Sequence, residues 1–186
     1  KLISFDRLAP DPGSAAPCVL VLPPYAGHCP TLVRDTVAAF LHGHAVHVAS
    51  WEDARHVPLS SGAFGFGEAA EAVIEMVAEI GGPVHVVAVT EAGVIGIAAA
   101  ALLGRRNRPL ASLTLIGGPV DCHADPAGLA AEAAARGLDW FMRAVIAPVP
   151  PPFAGAYREA LPGFFALTGS LTRSLGRSPV DHTERV

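Results

Sequence analysis

Charge is scarce in this chain. Of its 186 residues, 16% are Asp, Glu, Lys or Arg, against 51% hydrophobic. That balance excludes an intrinsically disordered chain. The charge present sums to −4 and includes no basic run, so there is no electrostatic footprint for nucleic acid or an anionic membrane surface. Long apolar runs are missing too. Mean hydropathy is positive, yet Gly, Glu or Arg interrupts each stretch before the roughly 18 residues that a membrane-crossing helix needs, so no membrane span is expected. The start, Lys1-Leu2-Ile3-Ser4-Phe5-Asp6, carries no apolar core of a signal peptide. Cysteine is sparse. Cys18, Cys29 and Cys122 are odd in number and far apart, which argues against a disulfide framework and for a reducing, cytoplasmic location. Asp121-Cys122-His123 lacks any C-x-x-C or H-x-x-x-H partner and reads as a polar loop; no metal and no cofactor is expected.

What is present is an alternation of short apolar runs and amphipathic stretches. Cys18-Val19-Leu20-Val21-Leu22 is short enough for a buried strand. After a rigid loop at Pro23–His28, Pro30 suits a first helical turn. Leu32, Val33, Val37, Phe40 and Leu41 keep helical spacing as far as Gly43. A second strand is predicted from Ala45 to Ser50. A Pro, Ser and Gly loop leads to a helix with Ala69, Val73, Met76, Val77 and Ile80 on one stripe. Further strands are predicted at Val84–Val89 and Leu113–Ile116, around an almost wholly apolar helix from Glu91 to Leu103 that should be buried on most sides. Strands alternating with helices argue an α/β fold, a mostly parallel sheet with helices on both faces. Ligands of such sheets bind beyond the carboxyl ends of the strands. The loops at 25–28, 51–55, 90–91 and 117–121 should all leave on that edge. Past Asp121 the strand pattern ends. Residues 1–17 read as an N-terminal segment, 18–121 as the core, and 122–186 as a helical cap or lid.

The segment Val84-His85-Val86-Val87-Ala88-Val89-Thr90-Glu91-Ala92-Gly93 is a strand running into a sharp turn with a helix behind it. Ala88 and Ala92 flank Thr90 two positions away on each side, as needed where strand and helix nearly touch. Such a turn holds the nucleophile of α/β-hydrolases in G-x-S-x-G or a small-residue variant. Here Thr90 stands at the apex. Gly65-Phe66-Gly67-Glu68-Ala69-Ala70 fits the dinucleotide pattern G-x-G-x-x-A, but that reading requires a strand directly before it, and Pro58–Gly62 is a loop.

Several stretches, in order, resemble the intracellular polyhydroxyalkanoate depolymerases, α/β-hydrolases that cleave poly(3-hydroxybutyrate) esters. They are Pro24-Tyr25-Ala26-Gly27-His28; Thr31–Val37; Trp51-Glu52-Asp53-Ala54-Arg55-His56-Val57-Pro58-Leu59-Ser60; His85–Val89; and Gly117-Gly118-Pro119-Val120-Asp121. Gly137-Leu138-Asp139-Trp140-Phe141 and Pro162-Gly163-Phe164 extend the likeness into the tail. The family has Cys followed by Gln and Pro at the apex, where this chain has Thr90, Glu91 and Ala92. It takes its acid and base from strands beyond the cap, so this chain is expected to stop inside the cap, with the late strands missing.

The resemblance implies hydrolysis of a hydroxyalkanoate polymer or oligomer ester, at the surface of polymer granules. Thr90 occupies the nucleophile position, either as a working hydroxyl or as an inert residue in an inherited turn. Backbone N–H groups of Glu91 and Ala26 are the expected oxyanion donors. His28 either polarises the substrate carbonyl or bonds to its own loop. Tyr25, Trp51 and Asp53 are candidate substrate-binding residues. Asp121 is considered as an acid, and no histidine is assigned as the base. The alternative is a catalytically inactive hydrolase-fold protein that binds granules or a partner subunit; a sheet with an open edge would then be expected to form a homodimer.

Overall fold

The computed structural model describes residues 1–5, 16–24, 33–118, 120, 121 and 129–162. These divide into two compact units, one of residues 1–53 and 59–120, the other of residues 54–58 and 121–186.

The first unit is built on a five-stranded sheet. Strand β1 is Leu2–Phe5, β2 Cys18–Leu22, β3 Ala45–Ala49, β4 Val84–Val89 and β5 Ser112–Ile116. Their spatial order is β1-β3-β2-β4-β5; β1 runs antiparallel to β3 and the other pairs are parallel. Helix α1 spans Arg34–Leu41, α2 Phe66–Ile80 and α3 Ala92–Arg105. This is the α/β arrangement expected from the alternation of runs, and it is consistent with an α/β-hydrolase-like fold.

Burial explains why β2 and β4 read as continuous apolar runs. A parallel strand covered on both faces has no solvent side on which to place polar residues. Leu20 and Leu22 pack with Val84, Val86 and Ala88 against α2 and α3. Val19, Val21, Val46, Val48 and Val87 face the other way and pack against Val37 of α1. Burying each such side chain stabilises the fold by about 1.5–3 kcal/mol relative to leaving it in water. Helix α2 buries Ala69, Val73, Met76 and Val77 of the predicted stripe together with Ala70 and Ile74, while Ile80 at its end is half-buried. Its first turn is tied by the Gly65 amide donating to Glu68 Oε2 at 2.9 Å.

Helix α3 differs from expectation. It buries Ala92, Gly93, Ile95, Gly96, Ala99 and Leu103, a single stripe, and leaves Val94 exposed. Its apolar outer side is therefore not a sign of all-round burial; it borders the groove described below. The stripe comes very near the sheet. A Cβ added at Gly96 would lie 3.3 Å from the Ala88 Cβ and 3.3 Å from a Leu113 methyl. Arg106, just after the helix, grips Glu71 of α2 with two bonds of 2.6 and 3.1 Å. That hydrogen bond holds the Glu71 carboxyl below its ordinary pKa. Both partners are about half exposed, so the pair orients the helices more than it stabilises them.

Strand β1 lies within residues 1–17, to which the sequence assigned no element. It is made by long-range pairing, Leu2 opposite Ala49 and Phe5 opposite Val46, which a four-residue pattern does not announce. At the other edge, β5 leaves Leu115 and Ile116 exposed.

The second unit holds helices α4 (Leu129–Arg136) and α5 (Leu138–Ala144) and a short antiparallel pair, β6 (Ala147–Pro148) with β7 (Glu159–Ala160). That pair corrects the expectation that no strand follows Asp121. Among the described residues no helix is long and apolar enough to cross a membrane.

Two measurements check the packing. Gly96→Leu should destabilise the protein by about 1–3 kcal/mol, because the added atoms have no room between α3 and the sheet; an unchanged denaturation midpoint would contradict the close approach. Whatever stability the Glu71–Arg106 pair contributes is present above the ordinary glutamate pKa. It should fade as pH falls through the lowered one, so the difference between wild type and Glu71→Gln should shrink in acid.

Candidate functional site

All four parallel strands end on one edge, at Leu22, Ala49, Val89 and Ile116. The connection after β2 leads to α1 on one face, whereas that after β4 leads to α3 on the other. Neighbouring connections that diverge to opposite faces open a crevice at the strand ends, the usual place for a ligand in an open α/β sheet.

Thr90 stands at that crevice. Strand β4 ends at Val89, α3 begins at Ala92, and Thr90 between them has φ +52°. A β-branched residue is a rare occupant of the left-handed region, at a cost of about 1–2 kcal/mol. Three neighbours hold it there. The Thr90 amide donates to the Ile116 carbonyl at 2.8 Å, extending the β4–β5 ladder by one residue, and the Gly93 amide donates to the Thr90 carbonyl at 3.0 Å. Gly118 lies against that same carbonyl, and a Cβ added to it would come within 2.2 Å of the oxygen. Only glycine lets the chain after β5 pass so near the turn.

The Thr90 hydroxyl donates to Glu91 Oε2 at 2.5 Å. Glu91 is half-buried and forms one wall of a surface groove of about 400 Å³. Phe64, Gly65, Phe66, Ala69, Val94 and Ile95 complete the lining. Apart from the Glu91 side chain these groups are apolar or backbone. Trp51 is not in the lining. It packs half-buried against the core on the α2–α3 face and stands behind Phe64, their rings 6.1 Å apart at 57°. Sequence reasoning missed Phe64, Phe66 and Val94 as site residues. The available signal was the Phe-Gly-Phe run ahead of α2, where aromatic side chains flank a loop glycine.

The other candidates are placed as follows. Tyr25, Ala26 and His28 lie outside the described residues, as do Cys122 and His123. Asp53 is half-buried near the start of the connection after β3. Asp121 is exposed and belongs to the second unit. In that unit Arg55 stands over the Phe153 ring, 5.6 Å from its centroid, and Arg158 donates to the Val57 and Pro58 carbonyls at 3.0 and 2.6 Å. The sequence run around Asp53-Ala54-Arg55 thus includes a backbone clamp. Several histidines bond away from the turn. His85 Nδ1 and Ser112 Oγ are 2.8 Å apart at the opposite end of β4, His47 Nδ1 and Ser4 Oγ are 2.9 Å apart, and His44 Nδ1 lies 3.2 Å from the Phe40 carbonyl. The G-x-G-x-x-A segment has coil and a single turn of 3₁₀ helix before it rather than a strand, so it lacks the context a dinucleotide site requires.

The first unit is therefore a mostly parallel α/β sheet with Thr90 held at positive φ in the turn between a strand and a helix. Residues 117–186 match the family model described as PHB de-polymerase C-terminus. That match supports the poly(3-hydroxybutyrate) depolymerase family for this part of the chain. No curated protein and no solved structure matches the chain.

The turn makes its own prediction. Thr90→Gly should stabilise the protein by about 1 kcal/mol in denaturant unfolding, because glycine accepts positive φ without strain. Gly118→Ala should destabilise it by about 1–3 kcal/mol. A loss of stability in the first variant, or none in the second, would contradict the strained turn.

Proposed function

We propose that the protein hydrolyses ester bonds of poly(3-hydroxybutyrate) or its oligomers, with Thr90 as nucleophile. The observation that carries the reading is Thr90 at φ +52° between β4 and α3, on the ligand edge of a parallel sheet. An ester hydrolase needs its nucleophile raised clear of the strand and adjacent to amide donors. We assign those donors to the backbone N–H groups of Glu91 and, from its place in the sequence, Ala26. His28 and Tyr25 are assigned to the same connection, with Trp51 and Asp53 on the substrate side. The groove walled by Phe64, Phe66 and Val94 suits the hydrocarbon part of a hydroxyacyl unit, whose carbonyl would then face Thr90. We assign residues 122–186 the part of a helical cap or lid segment, and the protein would work at the surface of polymer granules in the cytoplasm. The family match over residues 117–186 supports this substrate class.

A second reading is favoured by one observation. The β5 edge exposes Leu115 and Ile116, as an inactive granule-binding or partner-binding protein that pairs two copies along that edge would require.

Release of 3-hydroxybutyrate from its oligomers separates the two. The hydrolase reading predicts turnover by the wild-type chain, a loss on the order of 10³-fold in kcat/KM for Thr90→Ala, and retained or higher activity for Thr90→Cys. Val94→Arg should raise KM by about tenfold with a smaller effect on kcat, since it places charge in the apolar wall. Absent turnover together with a sedimenting dimer would favour the second reading.

A further inference from the structure

We propose that Glu91 is the proton acceptor and donor for Thr90. This inference rests on the reading of Thr90 as nucleophile and adds the base which that reading leaves unassigned.

A hydroxyl is a weak nucleophile until a neighbouring group takes its proton as it attacks. The group in contact with the Thr90 hydroxyl is the Glu91 carboxylate, at 2.5 Å. That distance is the short end of the range for a hydroxyl bonded to an ionised oxygen. Adjacent residues seldom make such a contact in a strand, where successive side chains point to opposite faces. The positive φ at Thr90 turns the chain before Glu91, and the two side chains meet on one side of the apex. Glu91 also walls the apolar groove, so fewer water molecules compete for the bond.

The steps balance without any further reagent except water. As Thr90 Oγ1 bonds to the ester carbonyl carbon, its proton passes to Glu91 Oε2 and the carbonyl π pair moves onto the carbonyl oxygen. Collapse re-forms the carbonyl and breaks the bond to the leaving alcohol, whose oxygen takes the proton from Glu91. Acyl-Thr90 remains. Water then attacks the acyl carbon and gives a proton to Glu91. The second collapse releases the hydroxy acid, and Glu91 returns the proton to Thr90 Oγ1.

The test uses the full 186-residue chain and p-nitrophenyl butyrate. Glu91→Gln keeps the shape and removes the base, so kcat should fall about 100-fold or more while KM changes little. Glu91→Ala should fall similarly and regain activity, by about tenfold, when formate supplies a carboxylate in the vacated space. A loss in both variants with no response to formate would make Glu91 a positioning residue and overturn the inference. So would turnover within about twofold of wild type in both, with Thr90→Ala inactive, and in that case Thr90 as nucleophile still stands. No turnover by the wild-type chain, or turnover untouched by Thr90→Ala, overturns the hydrolase reading and this inference together.

Discussion

One backbone carbonyl organises the carboxyl end of the sheet. The Thr90 oxygen is bonded by the Gly93 amide from the helix side and approached by Gly118 from the strand side. The Thr90 amide is meanwhile bound to Ile116. With both polar groups of the peptide backbone committed, residue 90 is locked in the left-handed region despite its branched side chain. The strain of about 1–2 kcal/mol is small beside the apolar burial of β2, β4, α2 and α3. Removing it by relaxing the turn would break the ladder bond and separate α3 from the sheet. Its consequence is geometric: the Thr90 hydroxyl meets the carboxylate of the next residue.

The same close contact explains the small residues around the turn. Ala88, Ala92 and Gly96 are buried where α3 crosses β4, and larger side chains there would lift the helix away. Among the larger apolar residues of the helix, Ile95 and Leu103 stay buried in this stripe while Val94 is exposed. Val94 and Ile95 then serve the groove, together with Phe64 and Phe66 from the start of α2. The start of this helix thus borders both the packed core and the groove, with Ile95 shared between them.

Much of this was legible in the amino-acid sequence. The central strands announced themselves because parallel strands buried on both faces are written in Val, Leu and Ala. The turn was visible because Ala88 and Ala92 bracket Thr90, and the stripe of α2 because its glutamates keep to one side. Other features depend on partners distant in sequence. Strand β1 is defined by β3, more than forty residues away. Gly118 owes its importance to a carbonyl at residue 90. The clamp of Arg158 on Val57 and Pro58 joins segments about a hundred residues apart, and it gives part of the longer run from Trp51 to Ser60 a structural purpose. The Thr90–Glu91 contact is adjacent in sequence yet invisible there. Whether neighbouring side chains meet or diverge depends on the backbone conformation at the turn, here the positive φ of Thr90, and on their rotamers.

The most direct test of a raised and reactive hydroxyl is covalent trapping. An alkyl fluorophosphonate should add to the wild-type chain with loss of fluoride, giving a single adduct that peptide mass spectrometry locates on Thr90. A chain that takes no label, or takes it on another residue, would contradict the account.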